Sequence, residues 1–216
     1  MTRPILHGYF RSSTSIRTRM ALNLKGIEYD QVTHHLRKGE QKDEAYLKVN
    51  PQGLVPALVW TDGQVIPQSM AIMEFLDEVV PQPPLLPADA GGRARVRSLT
   101  QMICCDIHPL NNMRVLKAIG TRFGADDEAT AAWFRYWVAE TFRPLEQMLA
   151  HSDQTGRFCH GDEITMADLA LVSQIINNRR FDVPMAAYPT LQRIADACLE
   201  VPAIERALPQ HQPDAE

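Results

Sequence analysis

The chain of 216 residues has no apolar run near the roughly 20 residues that a helix needs to cross a bilayer. Its opening, MTRPILHGYF, lacks an apolar core followed by a small-residue cleavage site, so no secretory leader is expected. A basic excess is also absent: 22 Lys and Arg stand against 26 Asp and Glu, giving a net charge of −4. Residues 1–84 carry nine of each sign, so neither half is a basic module. Binding of nucleic acid across a charged surface is therefore not expected, and any anion site must be local. Cysteine is scarce. Cys104, Cys105, Cys159 and Cys198 form no regular framework, which suits reduced thiols and a cytoplasmic protein. There is no internal repeat or low-complexity tract.

What is present is an ordinary globular composition, 45% apolar and 22% charged, long enough for one large domain or two small ones. ILHGYF reads as a strand and SIRTRMALNLKG as a helix. Ile16, Met20, Ala21 and Leu24 recur at helical spacing, and Gly26 suits a left-handed cap. YDQVTHHL reads as a second strand. LVPALVW and QVIPQS flank Thr61-Asp62-Gly63 and read as an antiparallel hairpin, after which Ser69 can cap the helix MAIMEFLDEVV. The proline-rich PQPPLLPADAGG reads as a linker. Beyond it the pattern is helical, from about Arg93 to Gly120, from about Asp126 to Ala150, and in shorter segments past Thr165. The expected architecture is an α/β domain over residues 1–84 and an all-α domain over residues 85–216.

Three stretches of the first domain bear on chemistry. In FRSSTS, a strand-to-helix turn puts Ser12, Ser13 and Thr14 at a helix N-terminus. Free N–H groups and the helix dipole favour an anion there, although one hydroxyl serving only as a cap explains the same residues. In LVPAL, Pro56 sits where a strand is expected and would remove a ladder donor. A cis Val55–Pro56 bond resolves this and leaves the Val55 backbone able to pair with an extended peptide. Gln68 and Ser69 open another helix, again suited to a carboxylate. Together these point to a small acidic peptide as ligand.

The order YFRSSTSIRTRMALNLKGIEY, NPQGLVPAL, IPQSMAIMEFLDE, LLPAD resembles the zeta class of glutathione transferases, and the likeness continues through TMADLALV to QPD. The resemblance implies a thioredoxin-like N-terminal domain, an all-helical C-terminal domain, a homodimer and glutathione as cofactor. It implies that Val55, beside Pro56, pairs with the cysteinyl unit, that Gln68 and Ser69 hold the γ-glutamyl end, and that Gln41 reaches the glycyl end. Ser12, Ser13 and Thr14 would surround the sulfur. The family motif is SSCSWRVRIAL; here Thr14 replaces Cys, Ile16 replaces Trp and Thr18 replaces Val, so no protein thiol stands beside glutathione. A thiol with a pKa of about 8.5 is mostly protonated at neutral pH, and hydroxyl donors at a helix N-terminus lower that value. Ser13 and Ser12 are the candidate donors, with Ser13 preferred, although the sequence alone does not choose between them.

In the second domain, CCDIHPLNNMRVL matches the family pattern IQPLQNL, with His108 at the Gln position and Asn112 at the Asn. The resemblance implies that Asp106, His108 and Asn112 line the cleft and help hold the cofactor. Arg114 is an addition, and NNRRFDV adds Arg179 and Arg180. Arginine suits bidentate carboxylate recognition, while solvated helix-face arginines are the plain alternative. Cys104 and Cys105 lie within a turn of His108, but no usual zinc pattern is completed, so no metal is expected. Thr165 to Asp168 reads as a capping box, and Trp133, Phe134 and Trp137 as core.

The implied reaction is glutathione-dependent cis–trans isomerisation of a maleyl diketo acid, maleylpyruvate or maleylacetoacetate, by reversible thiolate addition, with Arg11, Arg114 and Arg180 clamping the carboxylates of the dicarboxylate substrate. The extra arginines favour the shorter maleylpyruvate. A conjugating transferase or dehalogenase would consume glutathione, and a non-catalytic interaction module would not bind it.

Overall fold

The computed structural model describes residues 2–216. Two compact units are present: Met1–Leu85 together with Leu199–Glu216, and Leu86–Cys198.

The first unit contains β1 (Ile5–Gly8), α1 (Ser13–Leu24), β2 (Asp30–Thr33), α2 (Glu44–Val49), β3 (Ala57–Val59), β4 (Val65–Pro67) and α3 (Ser69–Val79). The strands form one sheet in the order β2-β1-β3-β4; β1 and β2 are parallel, and β3 is antiparallel to both β1 and β4. The parallel pair requires a crossover, which α1 supplies. Leu6 pairs with Leu58 and Leu58 with Ile66, so the apolar residues line one layer of the core. Gly26 is left-handed, as the end of α1 demands.

Helix α1 is buried over nearly its whole surface. Ile16, Met20, Ala21 and Leu22 are core, yet Arg17, Thr18 and Arg19 are buried too. Just past its end, Lys25 Nζ is held by Asp77 at 2.7 Å and by the carbonyls of Val80 and Pro83.

Two expectations change in this unit, and the six-residue α2 is too short to show a period of its own. Pro56 precedes β3 rather than interrupting it, so no ladder bond is lost; the Val55–Pro56 bond is cis. The segment Leu199–Glu216 belongs with the α/β unit, not with the helical one. The physical reason is buried polar anchoring: Arg19 donates to the Ala207 carbonyl at 3.0 Å and Asn23 to that of Ala203 at 2.9 Å.

The helical unit contains α4 (Ala90–Gln101), a π-helical turn (Met102–Ile107), α5 (His108–Asn111), α6 (Met113–Phe123), α7 (Asp127–Ala150), α8 (Met166–Asn178) and most of α9 (Pro189–Leu199); α10 (Pro202–Glu205) follows in the first unit. The stretch expected as one helix to Gly120 is broken at Asn112, which is extended (ψ 157) and caps α6. Asp168 is fully buried and accepts from both the N–H and the hydroxyl of Thr165 at 2.8 Å, closing the expected box. Phe134 is core, whereas Trp133 and Trp137 are only partly buried. Among the described residues, no helix is long and apolar enough to cross a membrane.

Candidate active site

The turn from β1 into α1 makes Ser12 the N-cap residue, with Oγ accepting from the Ser15 N–H at 3.3 Å. Ser12 Oγ also lies 2.7 Å from Thr14 Oγ1, and Thr14 Oγ1 donates to the Val55 carbonyl at 2.9 Å. A hydroxyl carries one proton. Thr14's is committed to Val55, so the proton between Ser12 and Thr14 is Ser12's. Ser12 therefore caps with a lone pair and keeps a donor that can rotate to another acceptor. Capping α1 therefore does not use up the Ser12 proton. Ser13 is only 5% exposed, while Ser12, Thr14 and Arg11 are half-buried. Arg11 packs its guanidinium over the Phe10 ring at 4.8 Å.

Val55 is buried beside Pro56, and its N–H has no partner among the described residues. Gln41 lies in the 3-10 turn Glu40–Lys42, and its Oε1 is buried without a hydrogen-bond partner among the described residues. The two segments approach closely at Gly53, where a Cβ would come within 2.9 Å of the Gln41 carbonyl and φ is +59°. Only glycine meets both demands without strain.

Gln68, not Ser69, occupies the N-cap position of α3, with φ +70°. That is a left-handed backbone on a side chain that disfavours it, a strain of about 1–3 kcal/mol that concentrates at ligand sites. Gln68 Nε2 donates to Gln52 Oε1 at 3.0 Å. Ser69 is the first helical residue, and its hydroxyl accepts from Arg17 Nε at 2.8 Å rather than capping. Arg17 is 2% exposed and forms no ion pair among the described residues. A buried guanidinium beneath a helix N-terminus raises the positive potential there. Sequence reading passed over Arg17 because a charge on a helix face normally signals solvent; three consecutive polar residues in the middle of an otherwise apolar helix were the available signal.

In the helical unit, Asp106 is exposed on the π-helical turn and His108 is half-buried at the start of α5. Both ends of the Asn112 side chain are engaged locally, Oδ1 with the Val115 N–H at 3.2 Å and Nδ2 with the Pro109 carbonyl at 3.0 Å. Arg114 is exposed in the first turn of α6. Arg180 is exposed after α8, its guanidinium over Phe181 at 5.6 Å and donating to Asn177 at 3.2 Å. Burial pushes the thiols of Cys159 and Cys198 up, so neither is a ready nucleophile. No group of three or more potential metal ligands occurs among the described residues.

A four-stranded mixed sheet with a hydroxyl-rich helix start, joined in sequence to a helical unit, defines a known class. The glutathione S-transferase N-terminal domain matches residues 11–79 and the C-terminal domain residues 115–210. The chain belongs to the glutathione S-transferase family, and within it to the zeta class. It is 47% identical to the maleylpyruvate isomerase of Ralstonia sp., covering 97% of this chain and 99% of that one. The holo structure of a maleylpyruvate isomerase, a bacterial zeta-class enzyme, superposes with a TM-score of 0.96 at 46% identity, covering 98% and 100% of the two chains. The maleylacetoacetate isomerase of Methylobacterium extorquens AM1, with bound malonate and glutathione, gives a TM-score of 0.95 at 40% identity, covering 98% and 99%.

Proposed function

We propose that this protein is a glutathione-dependent cis–trans isomerase of maleyl diketo acids, with maleylpyruvate preferred to maleylacetoacetate. The observation that carries the reading is the Ser12–Thr14–Val55 hydrogen-bond chain, which keeps a mobile hydroxyl donor at the N-terminus of α1. The names of relatives above 40% identity over nearly the whole chain support it.

The residues present fit glutathione. The unpaired Val55 N–H suits a peptide carbonyl, the unpaired Gln41 Oε1 suits a donor near the glycyl end, and the start of α3 backed by Arg17 suits the γ-glutamyl carboxylate. When bound, glutathione supplies a nucleophilic thiolate that isomerisation returns unconsumed. Ser12 is the donor proposed for that anion, with Thr14 orienting it and Ser13 supporting the helix start. One charge-assisted hydrogen bond is worth about 1.5–3 kcal/mol, enough to favour the charged form by about a pKa unit or more. Arg11, Arg114 and Arg180 are the cations proposed for the two substrate carboxylates. Asp106, His108 and Asn112 are the helical unit's proposed share in cofactor binding. A homodimer and a cytoplasmic setting, where glutathione is kept reduced, complete the reading.

The test is an ultraviolet assay with each substrate, with and without glutathione, while free thiol is followed. Isomerisation that requires glutathione at constant free thiol is expected. Stoichiometric loss of thiol would make the protein a conjugating transferase instead.

A further inference from the structure

Tyr9 and Phe10 join β1 to Ser12, and side chains rather than the sheet ladder secure most of their backbone polar groups. The Tyr9 N–H donates to Ser15 Oγ at 3.3 Å. The Tyr9 carbonyl accepts from the Ser12 N–H at 3.1 Å and from Arg19 Nη1 at 3.4 Å. The Phe10 carbonyl accepts from Arg19 Nη2 at 2.9 Å. The Phe10 N–H donates to Asp214 Oδ2 at 3.1 Å, from a residue 204 positions along the chain. The peptide between Tyr9 and Phe10 is thus gripped at both ends, its carbonyl by a cation and its N–H by a carboxylate.

Arg19 is 1% exposed and is anchored in turn by the Ala207 carbonyl, in the same segment that delivers Asp214. Burial lowers this guanidinium to about 10, opposed by Tyr29 and Asp214. Asp214 therefore has two tasks: to satisfy the N–H of Phe10, which is 2% exposed, and to offset a buried positive charge. Ser12 lies two residues beyond Phe10, after Arg11, and its N–H closes the turn on the Tyr9 carbonyl at 3.1 Å.

We propose that Asp214 is a positioning residue for the thiolate site, acting through the Tyr9–Phe10 peptide to hold the Ser12 hydroxyl in register with Thr14 and Val55. It touches neither substrate nor cofactor in this role, and the proposal rests on Ser12 serving as the thiolate donor. Without the carboxylate, Phe10 is left with a buried unpaired N–H, and relaxing it shifts the Tyr9–Phe10 peptide whose carbonyl holds the Ser12 N–H. Displacements of about 1 Å at reacting groups cost up to about a hundredfold in rate.

The experiment compares wild type, Asp214→Ala, Asp214→Asn and Asp214→Glu. It titrates the ultraviolet absorbance of the thiolate in each enzyme–glutathione complex against pH, and measures kcat, KM and Tm. Asp214→Ala is expected to raise the apparent thiol pKa by about one unit and lower kcat about tenfold, with substrate KM changing much less. Asp214→Asn keeps an oxygen acceptor for the Phe10 N–H and is expected to recover most of kcat. Asp214→Glu keeps the charge but moves the acceptor by a methylene. It is expected to fold and to raise the thiol pKa, so an unshifted value overturns the proposal even if Asp214→Ala does not fold. Equal losses of Tm and kcat in the Ala and Asn variants at unchanged thiol pKa also overturn it, in favour of a purely structural contact. If wild type holds no thiolate, the functional reading fails and the proposal falls with it; a wild-type thiolate left unshifted in every variant defeats the proposal alone.

Discussion

The hydroxyl of Thr14 donates to the carbonyl of Val55 at 2.9 Å, linking the first turn of α1 to the segment before β3 across 41 residues. Thr14→Val preserves shape but leaves that carbonyl unpaired and frees Ser12 from its neighbour. Calorimetry should show glutathione binding about fivefold weaker, corresponding to about 1 kcal/mol.

Ser12 and Ser13 are separated by the same geometry. Ser12→Ala removes both the cap and the mobile donor, and should lower kcat/KM about a hundredfold while costing about 1 kcal/mol of stability. Ser13→Ala should stay within a few-fold of wild type. The opposite pattern in steady-state kinetics would move the donor role to Ser13.

Arg17 holds the Ser69 hydroxyl from below the start of α3. Arg17→Lys keeps the charge but cannot reproduce the Nε contact of a planar guanidinium. A glutathione affinity about tenfold weaker is expected, at about 1.4 kcal/mol, with a smaller effect on kcat. An unchanged Kd would remove Arg17 from the site.

His7 Nδ1 and His34 Nε2 share a proton at 2.9 Å in half-buried stacked rings, beside Tyr46. Burial first, then the neighbouring His34, lowers the His7 pKa from 6.5 to about 4. Between those values the unfolded chain binds a proton that the folded chain refuses. The stability this histidine confers is therefore complete above its unfolded pKa of 6.5 and is lost as pH falls towards about 4. Thermal melts stepped downward through that window should show His7→Gln losing less Tm than wild type.

Lys25 is paired with Asp77 at 2.7 Å, with no exposure of its own side chain. Lys25→Met should cost about 3–5 kcal/mol, because Asp77 then keeps only the Leu85 N–H, at 2.6 Å. In thermal denaturation this corresponds to a fall in Tm of about 10 °C. Lys25→Met combined with Asp77→Leu should recover part of the loss.

Elements with a strong period or punctuation were readable from the residues: α1 closed off by Gly26 just past its end, the hairpin around Asp62-Gly63, α7, and the Thr165–Asp168 box. What escaped depends on local backbone geometry or on partners remote in sequence, neither of which periodicity shows. Asn112 looks like any helical polar residue until its extended backbone makes it the cap of α6. Ser69 resembles a cap until Arg17, 52 positions earlier, engages its hydroxyl. Pro56 looks like a strand defect because periodicity cannot show that β3 begins one residue later. Arg19 is a charged residue with no local partner in the sequence, and only the folded chain supplies the three carbonyls that let it be buried. The candidate ligand-facing residues of the α/β unit could be listed from the motif, but their division of labour could not, because it depends on which proton goes to which oxygen.

The placement of Leu199–Glu216 with the first 85 residues has a practical corollary for protein engineering. The α/β unit is discontinuous, and the helical unit is inserted into it. A chimera that grafts a new helical unit onto this scaffold needs two junctions, near Leu86 and near Cys198. A single crossover in the proline-rich linker would replace Ala207 and Asp214 with a foreign sequence and leave Arg19 facing partners that did not evolve with it.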